Sequence, residues 1–331
     1  MDRDWTIYCI DRRAQVKGLY AAFPDFIFEG HDWVTKLLAC PSFPDSKAPP
    51  SYYLAASVDK RHELGALSVI PMEIIGHIFS YLSSTDDAVS LAVAHRLLCH
   101  EGFRRVMRLR NRGDKRMGSW AGKRIIADEK WTGRELPKGM LTAEEEEEKK
   151  KTGGRWCGLS YWCWKVPQRP ERHIEIMAAL YGDIINPALQ RVSSSCSGDY
   201  LRVRLLLEDT SPRYQSGATY ALCNKDRNQC VRASALANMR IVLPSRKVVQ
   251  ERSSVDGPFL RGDKVMFDLG SLAIILTSWA NPLIKDGPWA GERIGIWKVD
   301  NVPPNKLQDV SKWAIKIAKD CAKEMYNRRP R

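Results

Sequence analysis

Two arginines in a repeated peptide are the side chains of this sequence whose type and spacing best suit ligand binding. The repeat is Gly118-Ser-Trp-Ala-Gly-Lys-Arg-Ile125 and Gly287-Pro-Trp-Ala-Gly-Glu-Arg-Ile294, with six of eight positions identical. A guanidinium has five N–H donors in a planar fork that matches carboxylate and phosphate oxygens. One interpretation is therefore a pocket in which Arg124 and Arg293 bind an anion and Trp120 and Trp289 form the walls. The alternative is structural: the repeat is a duplicated strand entry, in which the glycines turn the chain and the tryptophans pack.

The histidines and cysteines do not form a catalytic or metal-binding pattern. Four of the six histidines lie between residues 62 and 100, and the nine cysteines are scattered and include no Cys-x-x-Cys pair. The sequence also has no Gly-x-Ser-x-Gly elbow, no glycine-rich phosphate loop and no His-Glu-x-x-His helix. We therefore expect no catalytic residue, no metal and no cofactor. We expect free thiols, with Cys223 and Cys230 facing each other across a hairpin.

The chain is basic, with a formal net charge of +13 and an isoelectric point near 9.3. Residues 104–134 contain eleven Lys or Arg and three Asp or Glu. Such a cluster attracts phosphate, in nucleic acid or in a phosphorylated protein, or it is a solvated helix face. No helix-turn-helix, aromatic RNA-binding motif or zinc finger accompanies the charge, so nucleic acid is not the expected partner.

Composition predicts a globular protein away from the membrane. The hydrophobic fraction is 44%, which is typical of folded chains. The longest apolar run, residues 272–276, is too short to span a bilayer, and the first residues lack the apolar stretch of a signal peptide. We expect an intracellular protein, cytoplasmic, nuclear or both.

An amphipathic helix, which would pack through its apolar face, is predicted at residues 70–82. Its apolar residues, spaced by three or four, are Pro71, Ile74, Ile75, Ile78, Phe79 and Leu82. Proline suits a first helical turn, because its missing N–H would have no helical partner. Ser84 and Asp87 then have the spacing of a capping box. The pattern predicts a second helix that carries Ala88, Leu91 and Leu98.

Residues 70–82 and the helix after them resemble the F-box, whose core reads Leu-Pro-x-Glu-Ile-Ile-x-x-Ile-Phe-x-x-Leu. Here Ile70 replaces the first leucine, and the resemblance extends to about Val106. It implies docking on the Skp adaptor and, through the adaptor, on a cullin. The positions carried over to the adaptor interface are Ile70, Pro71, Ile74, Ile75, Ile78, Phe79 and Leu82. A helical trio this small leaves part of its apolar surface uncovered, so another chain can cover it. Each of the seven residues could instead belong to the intramolecular core.

The rest of the sequence predicts an α+β fold of unfamiliar architecture. We expect a structured extension at 1–40, a linker at 41–66, the F-box at 67–106 and a mixed recognition domain at 107–331. Predicted helices are 32–38, 141–151, 172–180 and 309–327. Predicted strands are 201–207, 218–222, 231–235, 240–243, 264–269 and 272–277, with a hairpin turn at 224–228.

The repeat and the passage Leu136-Pro-Lys-Gly-Met-Leu-Thr-Ala-Glu resemble a large set of fungal F-box proteins, in which a similar tail follows the F-box. The resemblance implies a non-catalytic receptor that presents a target protein, phosphorylated or not, to a Skp–cullin–F-box ubiquitin ligase. Two alternatives stay open at this point. One is a basic nucleic-acid-binding protein, and the other is an adaptor-binding scaffold with no role in ubiquitination.

Overall fold

The computed structural model describes residues 5–16, 27, 32–41, 58–110, 119–129, 135–153, 158–159, 162–163, 203–207, 209–210, 213–243, 248–281, 286–299 and 307–327. These residues form two compact units. The helical unit comprises the described residues of 41–118 and 177–214, and the sheet unit comprises those of 1–40, 119–176 and 215–331.

The helical unit contains three consecutive helices preceded by 3₁₀ turns at Val58–Val69. Helix α1 (Asp32–Leu38) belongs to the sheet unit, and the three helices that follow it are α2 (Met72–Tyr81), α3 (Thr85–Ala94) and α4 (Arg96–Arg110). Pro71 is the N-cap residue of α2. The Ser84 hydroxyl accepts from the backbone N–H groups of Asp86 and Asp87 and so caps α3. The predicted helix pair is confirmed, although α3 ends at Ala94 and a third helix carries Leu98.

The core of the helical unit is formed by one row from each helix. Ile75 and Phe79 of α2 pack with Ala92 of α3 and Phe103 of α4. The contact between α3 and α4 requires a glycine, because a Cβ at Gly102 would overlap the Cβ of Ala92 and lie 3.0 Å from its Cα. Burial of this apolar surface is what stabilises three short helices that would be marginal alone.

The sheet unit is built on seven strands in the order β11-β5-β4-β10-β3-β1-β2. Their bounds are β1 Trp5–Cys9, β2 Ala14–Gln15, β3 Lys123–Glu129, β4 Tyr220–Asn224, β5 Gln229–Arg232, β10 Glu292–Lys298 and β11 Gln308–Asp309. Neighbours are antiparallel except β11 and β5, which are parallel. The sheet is therefore mixed, and the predicted α+β class is confirmed at that level.

Helices and two small hairpins complete the sheet unit. The helices are α1 (Asp32–Leu38), α5 (Ala143–Gly153), α6 (Ala233–Ala237), α7 (Leu269–Thr277) and α8 (Ser311–Asn327). The small hairpins pair β6 (Ile241–Val242) with β7 (Val248–Gln250), and β8 (Ser254–Asp256) with β9 (Phe259–Arg261). In the part of the chain that the structure describes, no helix has the length and apolarity needed to cross a membrane.

Several local predictions are wrong, and the physical reasons are clear. Residues 272–277 lie in α7 rather than in a strand; all nine residues of α7 are buried, and a short apolar run does not distinguish a strand from a buried helix. Residues 203–207 are helical and pack on the core of the helical unit. Residues 264–268 form no strand, and residues 233–235 belong to α6. The predicted helix at 172–180 lies outside the described residues.

The predicted domain boundaries also need correction. Residues 5–15 are not a separate extension, because β1 pairs with β3 along five residues. The three helices continue to Arg110, beyond the predicted end of the F-box at 106. The segment with the three helices therefore lies between α1 and β3 in the chain, and the rest of the helical unit comes from residues 177–214, between α5 and β4. The helices at 32–38, 143–153 and 311–327 and the hairpin turn after Asn224 agree with the prediction to within two residues.

Candidate functional site

An exposed apolar row runs along α2 of the helical unit. Ile74 is 48% exposed, Ile78 is 38% exposed and Tyr81 is 85% exposed. Their spacing of four and three residues places them on one face of the helix. Val69, immediately before α2, is 83% exposed. Four of the six large exposed hydrophobic residues in the described chain are therefore within thirteen residues, which makes this a patch rather than scattered surface.

The seven adaptor-facing candidates divide between that face and the core. Ile75 and Phe79 are buried in the intramolecular core, while Ile70 and Leu82 pack against it and are partly exposed. Pro71 is exposed, and its carbonyl accepts from the N–H groups of the first turn of α2. The interface assignment is therefore corrected for Ile75 and Phe79, whose side chains are already covered. Tyr81 and Val69 were missed, because a pattern of apolar spacing does not show which of two adjacent rows is covered.

Part of the basic cluster at 104–134 has an internal role. The guanidinium of Arg105 is buried and donates from Nε and Nη2 to the carbonyl of Leu82, just after α2. Arg110 donates from Nη1 to the carbonyl of Leu207 at 2.9 Å. These two arginines satisfy main-chain carbonyls, so they are not available to bind a phosphate ligand.

The repeated peptide forms equivalent entries into two central strands of the sheet unit. β3 and β10 are antiparallel neighbours, with Arg124 opposite Arg293. Trp120 and Trp289 are fully buried. The interpretation of these tryptophans as pocket walls is thus corrected, and the packing interpretation is confirmed for them.

Reciprocal hydrogen bonds show that the two copies are related by a pseudo-twofold axis. The N–H of Gly122 donates to the carbonyl of Ile294, and the N–H of Gly291 donates to the carbonyl of Ile125, both at 2.8 Å. The two glycines have φ values of 78° and 77°. This left-handed backbone favours glycine, so the glycine in each copy is required by the same turn.

The structural repeat is longer than the octapeptide. Each copy includes a β-hairpin, β1–β2 or β4–β5, whose first strand pairs with the strand that begins within the repeated peptide. Each copy also includes a helix, α1 or α7. The backbone N–H of the repeated tryptophan donates to a carbonyl in the last turn of that helix, at 2.7 Å in the first copy and 2.8 Å in the second. The segment with helices α2 to α4 is inserted in the first copy only. The Asp-Arg dipeptide at 11–12 and at 226–227 is the sequence signal that could have revealed this longer repeat.

In each copy an aspartate from the hairpin turn binds the repeated arginine in the same way. The N–H of Arg124 donates to Asp11 Oδ2 at 2.8 Å, and its Nε donates to Asp11 Oδ1 at 2.7 Å. The N–H of Arg293 donates to Asp226 Oδ2 at 2.7 Å, and its Nε donates to Asp226 Oδ1 at 2.8 Å. The arginine therefore fastens each hairpin to its central strand by two charge-assisted hydrogen bonds.

Arg124 has no donor left for a ligand. Besides Asp11, its terminal nitrogens donate to both carboxylate oxygens of Glu145, at 2.8 and 2.9 Å, and to the carbonyl of Met140 at 2.7 Å. Burial disfavours the charged form of Glu145, but hydrogen bonds from Arg124, the Thr142 N–H and Arg13 outweigh it and lower its pKa to about 2. Arg124 is thus a structural residue rather than the expected anion-binding residue.

Arg293 differs from Arg124 because, in the part of the chain that the structure describes, no second carboxylate reaches it. Among the described residues, Arg293 forms its ion pair with Asp226. The side chain of Arg293 is 58% exposed, and its two terminal nitrogens make no hydrogen bond to a described residue. Both arginines line a cavity of about 780 Å³ that lies within the sheet unit. Of the four proposed ligand-binding residues, Arg124 and Arg293 are therefore at a cavity. Of these two, Arg293 is the one whose terminal nitrogens make no hydrogen bond to a described residue.

The buried cysteines are not poised as nucleophiles. Burial raises the pKa of the Cys9, Cys223 and Cys321 thiols to about 12, with the neighbouring Cys230 adding to the effect at Cys223. These groups are therefore protonated at neutral pH. Cys223 and Cys230 are directly opposite in β4 and β5 and are free thiols, as expected. Among the described residues, no group of three His, Cys, Asp or Glu side chains is arranged to hold a metal ion.

No protein-family model, no curated protein and no solved structure matches this chain.

Proposed function

We propose that the protein is an F-box substrate receptor that docks on the Skp adaptor of a Skp–cullin–F-box ubiquitin ligase. The observation that carries the proposal is the exposed apolar row Ile74, Ile78 and Tyr81 on α2. The row lies within the segment that resembles the F-box, and the resemblance implies adaptor contact for two of its residues, Ile74 and Ile78. The two described units support a division of labour, with docking by the helical unit and target recognition by the sheet unit.

Rigid packing beneath the row favours a docking role. Ile75 and Phe79 fix α2 on the core, and Arg105 binds the carbonyl of Leu82 at the end of the helix. The exposed side chains are therefore presented by a helix whose backbone is held in place, so docking costs little ordering entropy. The receptor does no chemistry itself. It raises the effective concentration of a bound target near the ubiquitin-carrying enzyme.

Co-expression with the Skp adaptor tests the proposal. In the variant Ile74→Asp, Ile78→Asp, the complex loses the apolar contacts of two isoleucines, and two carboxylates must be desolvated in their place. Burial of each isoleucine contributes about 1 to 2 kcal/mol beyond the part already covered, and desolvation of each carboxylate costs several kcal/mol. We expect a loss in affinity of at least about 1,000-fold.

Val242→Asp is the matched control, because Val242 is an exposed hydrophobic residue of the sheet unit, 45% accessible. We expect this variant to retain the adaptor. All variants are compared by circular dichroism and thermal melting, since Ile74 and Ile78 are substantially exposed and their replacement should leave the fold intact. Absence of a complex with the wild-type chain, or an unchanged complex with the folded double variant, would falsify the proposal.

A further inference from the structure

The cavity beside the repeated arginines contains two cationic groups that are open to a ligand. They are the terminal nitrogens of Arg293 and the ammonium of the exposed Lys138, which has no ion-pair partner among the described residues. Arg293 is open because the symmetry of the two copies is broken. Its counterpart Arg124 is closed off by Glu145 and by the Met140 carbonyl, whereas no equivalent group of the described residues covers Arg293.

The charge of the cavity favours a ligand with a single anionic group. Among the described residues, four cationic side chains and four carboxylates line it. Three of these cations already pair with three of the carboxylates, as Arg124–Asp11, Arg227–Glu292 and Arg293–Asp226. Lys138 and Asp286 remain. A polyanion such as nucleic acid gains its affinity from many uncompensated cations, so a balanced cavity selects against it.

The remaining lining can receive apolar and hydrogen-bonding groups. Trp279 is partly exposed, and its ring is fixed because Nε1 donates to the carbonyl of Glu135 at 2.8 Å. Pro137 and Pro288 are also partly exposed at the cavity. One oxygen of Asp286 accepts from the N–H of Ala280 at 3.0 Å, which leaves the other oxygen able to accept from a ligand N–H. A volume of about 780 Å³ is within the usual range of ligand pockets.

We propose that this cavity binds a polypeptide segment through one oxyanion, a phosphate or a side-chain carboxylate, held by Arg293 and Lys138. A polypeptide combines the three features that the cavity matches. Its oxyanion accepts from the fork of Arg293, a backbone N–H donates to Asp286, and an apolar side chain covers Trp279 and the prolines. The assignment of the segment to a ubiquitination target rests on the proposed function. The binding chemistry is independent of that function.

Peptide arrays test the proposal with the full chain. The probes are ten-residue degenerate peptides with a central phosphoserine, glutamate or serine, and a ten-nucleotide single-stranded DNA. Affinities for the best peptides are then measured in solution with the wild type, Arg293→Gln, Lys138→Gln and Arg261→Gln. Arg261 is the matched control, because it also makes one exposed ion pair, with Asp32 at 2.7 Å, has a 49% exposed side chain and does not line the cavity.

We expect binding of phosphoserine or glutamate peptides but not of serine peptides, and the stronger of the two identifies the source of the oxyanion. Arg293→Gln should weaken binding about 10- to 100-fold and Lys138→Gln about 10-fold, because each removes charge-assisted hydrogen bonds. Arg261→Gln should bind like the wild type. The proposal is overturned if no peptide binds, if Arg293→Gln binds normally, if Arg261→Gln weakens binding equally, or if DNA binds better than any peptide. Adaptor co-purification of the same variants should be unchanged, so that failure here is distinguishable from failure of the docking proposal.

Discussion

Replacement of the two pseudo-symmetric glycines by alanine should destabilise the sheet unit to different extents. Gly122 and Gly291 have the same left-handed φ and donate the same hydrogen bond to the other copy. An alanine in this conformation costs about 1 to 2 kcal/mol, partly offset by the lower entropy of the unfolded chain. The backbone cost is therefore shared by both variants, and any difference between them comes from the neighbours of the added Cβ.

The neighbours differ strongly. A Cβ at Gly291 would lie 2.6 Å from Met140 Sδ and closer still to Met140 Cγ, and Met140 is buried. At Gly122 the nearest atom is Lys225 Nζ at 3.1 Å, the end of a flexible side chain. Displacement of a buried side chain typically costs about 1 to 3 kcal/mol. We expect a loss of about 1 kcal/mol for Gly122→Ala and about 2 to 4 kcal/mol for Gly291→Ala.

Urea unfolding followed by tryptophan fluorescence measures the difference in unfolding free energy between the two variants, and it does so for the sheet unit. All eleven tryptophans lie in the segments that form the sheet unit, so the signal does not report on the helical unit. Gly217→Ala supplies the backbone cost alone, because Gly217 has φ of 76° and nothing within 4 Å of the added Cβ. Equal losses at Gly122 and Gly291, or a larger loss at Gly122, would refute the assignment of the difference to Met140.

Three further predictions concern single side chains. Glu145→Gln should lower the free energy of unfolding by about 2 kcal/mol at pH 7. Hydrogen bonds outweigh burial and lower the pKa of Glu145 from 4.5 to about 2, so this stability is present above pH 4.5 and is lost as the pH falls toward 2. A variant whose urea melts show the same pH dependence as the wild type would contradict the prediction. Gly102→Ala should destabilise the helical unit by about 2 kcal/mol or more, because the added Cβ would overlap Ala92. Amide hydrogen exchange in α3 and α4 measures this loss, and unchanged protection would contradict the prediction. Ser84→Ala should cost about 1 kcal/mol and speed exchange at the Asp86 N–H that the hydroxyl accepts from, whereas equal exchange rates would show that the cap contributes nothing.

The sequence predicted the elements whose signals are local. The start of α2 follows from Pro71, the cap of α3 from Ser84, and the hairpin turn from Asn224 and the polar residues after it. In each case the deciding groups are within a few residues, so a short window contains the physical cause. The octapeptide repeat was also visible, together with the glycines that each copy needs.

The sequence misassigned elements whose state depends on distant contacts. The run at 272–277 is apolar throughout, and it is a helix because it is buried on every side and begins at a capping box formed by Asp268 and Ser271. That capping box was a local signal for a helix, with serine in place of the usual Glu or Gln. Residues 5–15 were separated from the sheet because their partner strand β3 lies more than a hundred residues later.

By itself, the sequence determined α2, the start of α3, the duplicated peptide and the α+β composition, because these depend on local spacing and residue type. Only the tertiary structure decided which row of α2 is covered, since Ile75 and Ile74 are neighbours with the same apolar character. It also decided which arginine is open to a ligand. Arg124 and Arg293 have nearly identical sequence surroundings, and they differ because Glu145 is folded against the first and no carboxylate besides Asp226 pairs with the second among the described residues.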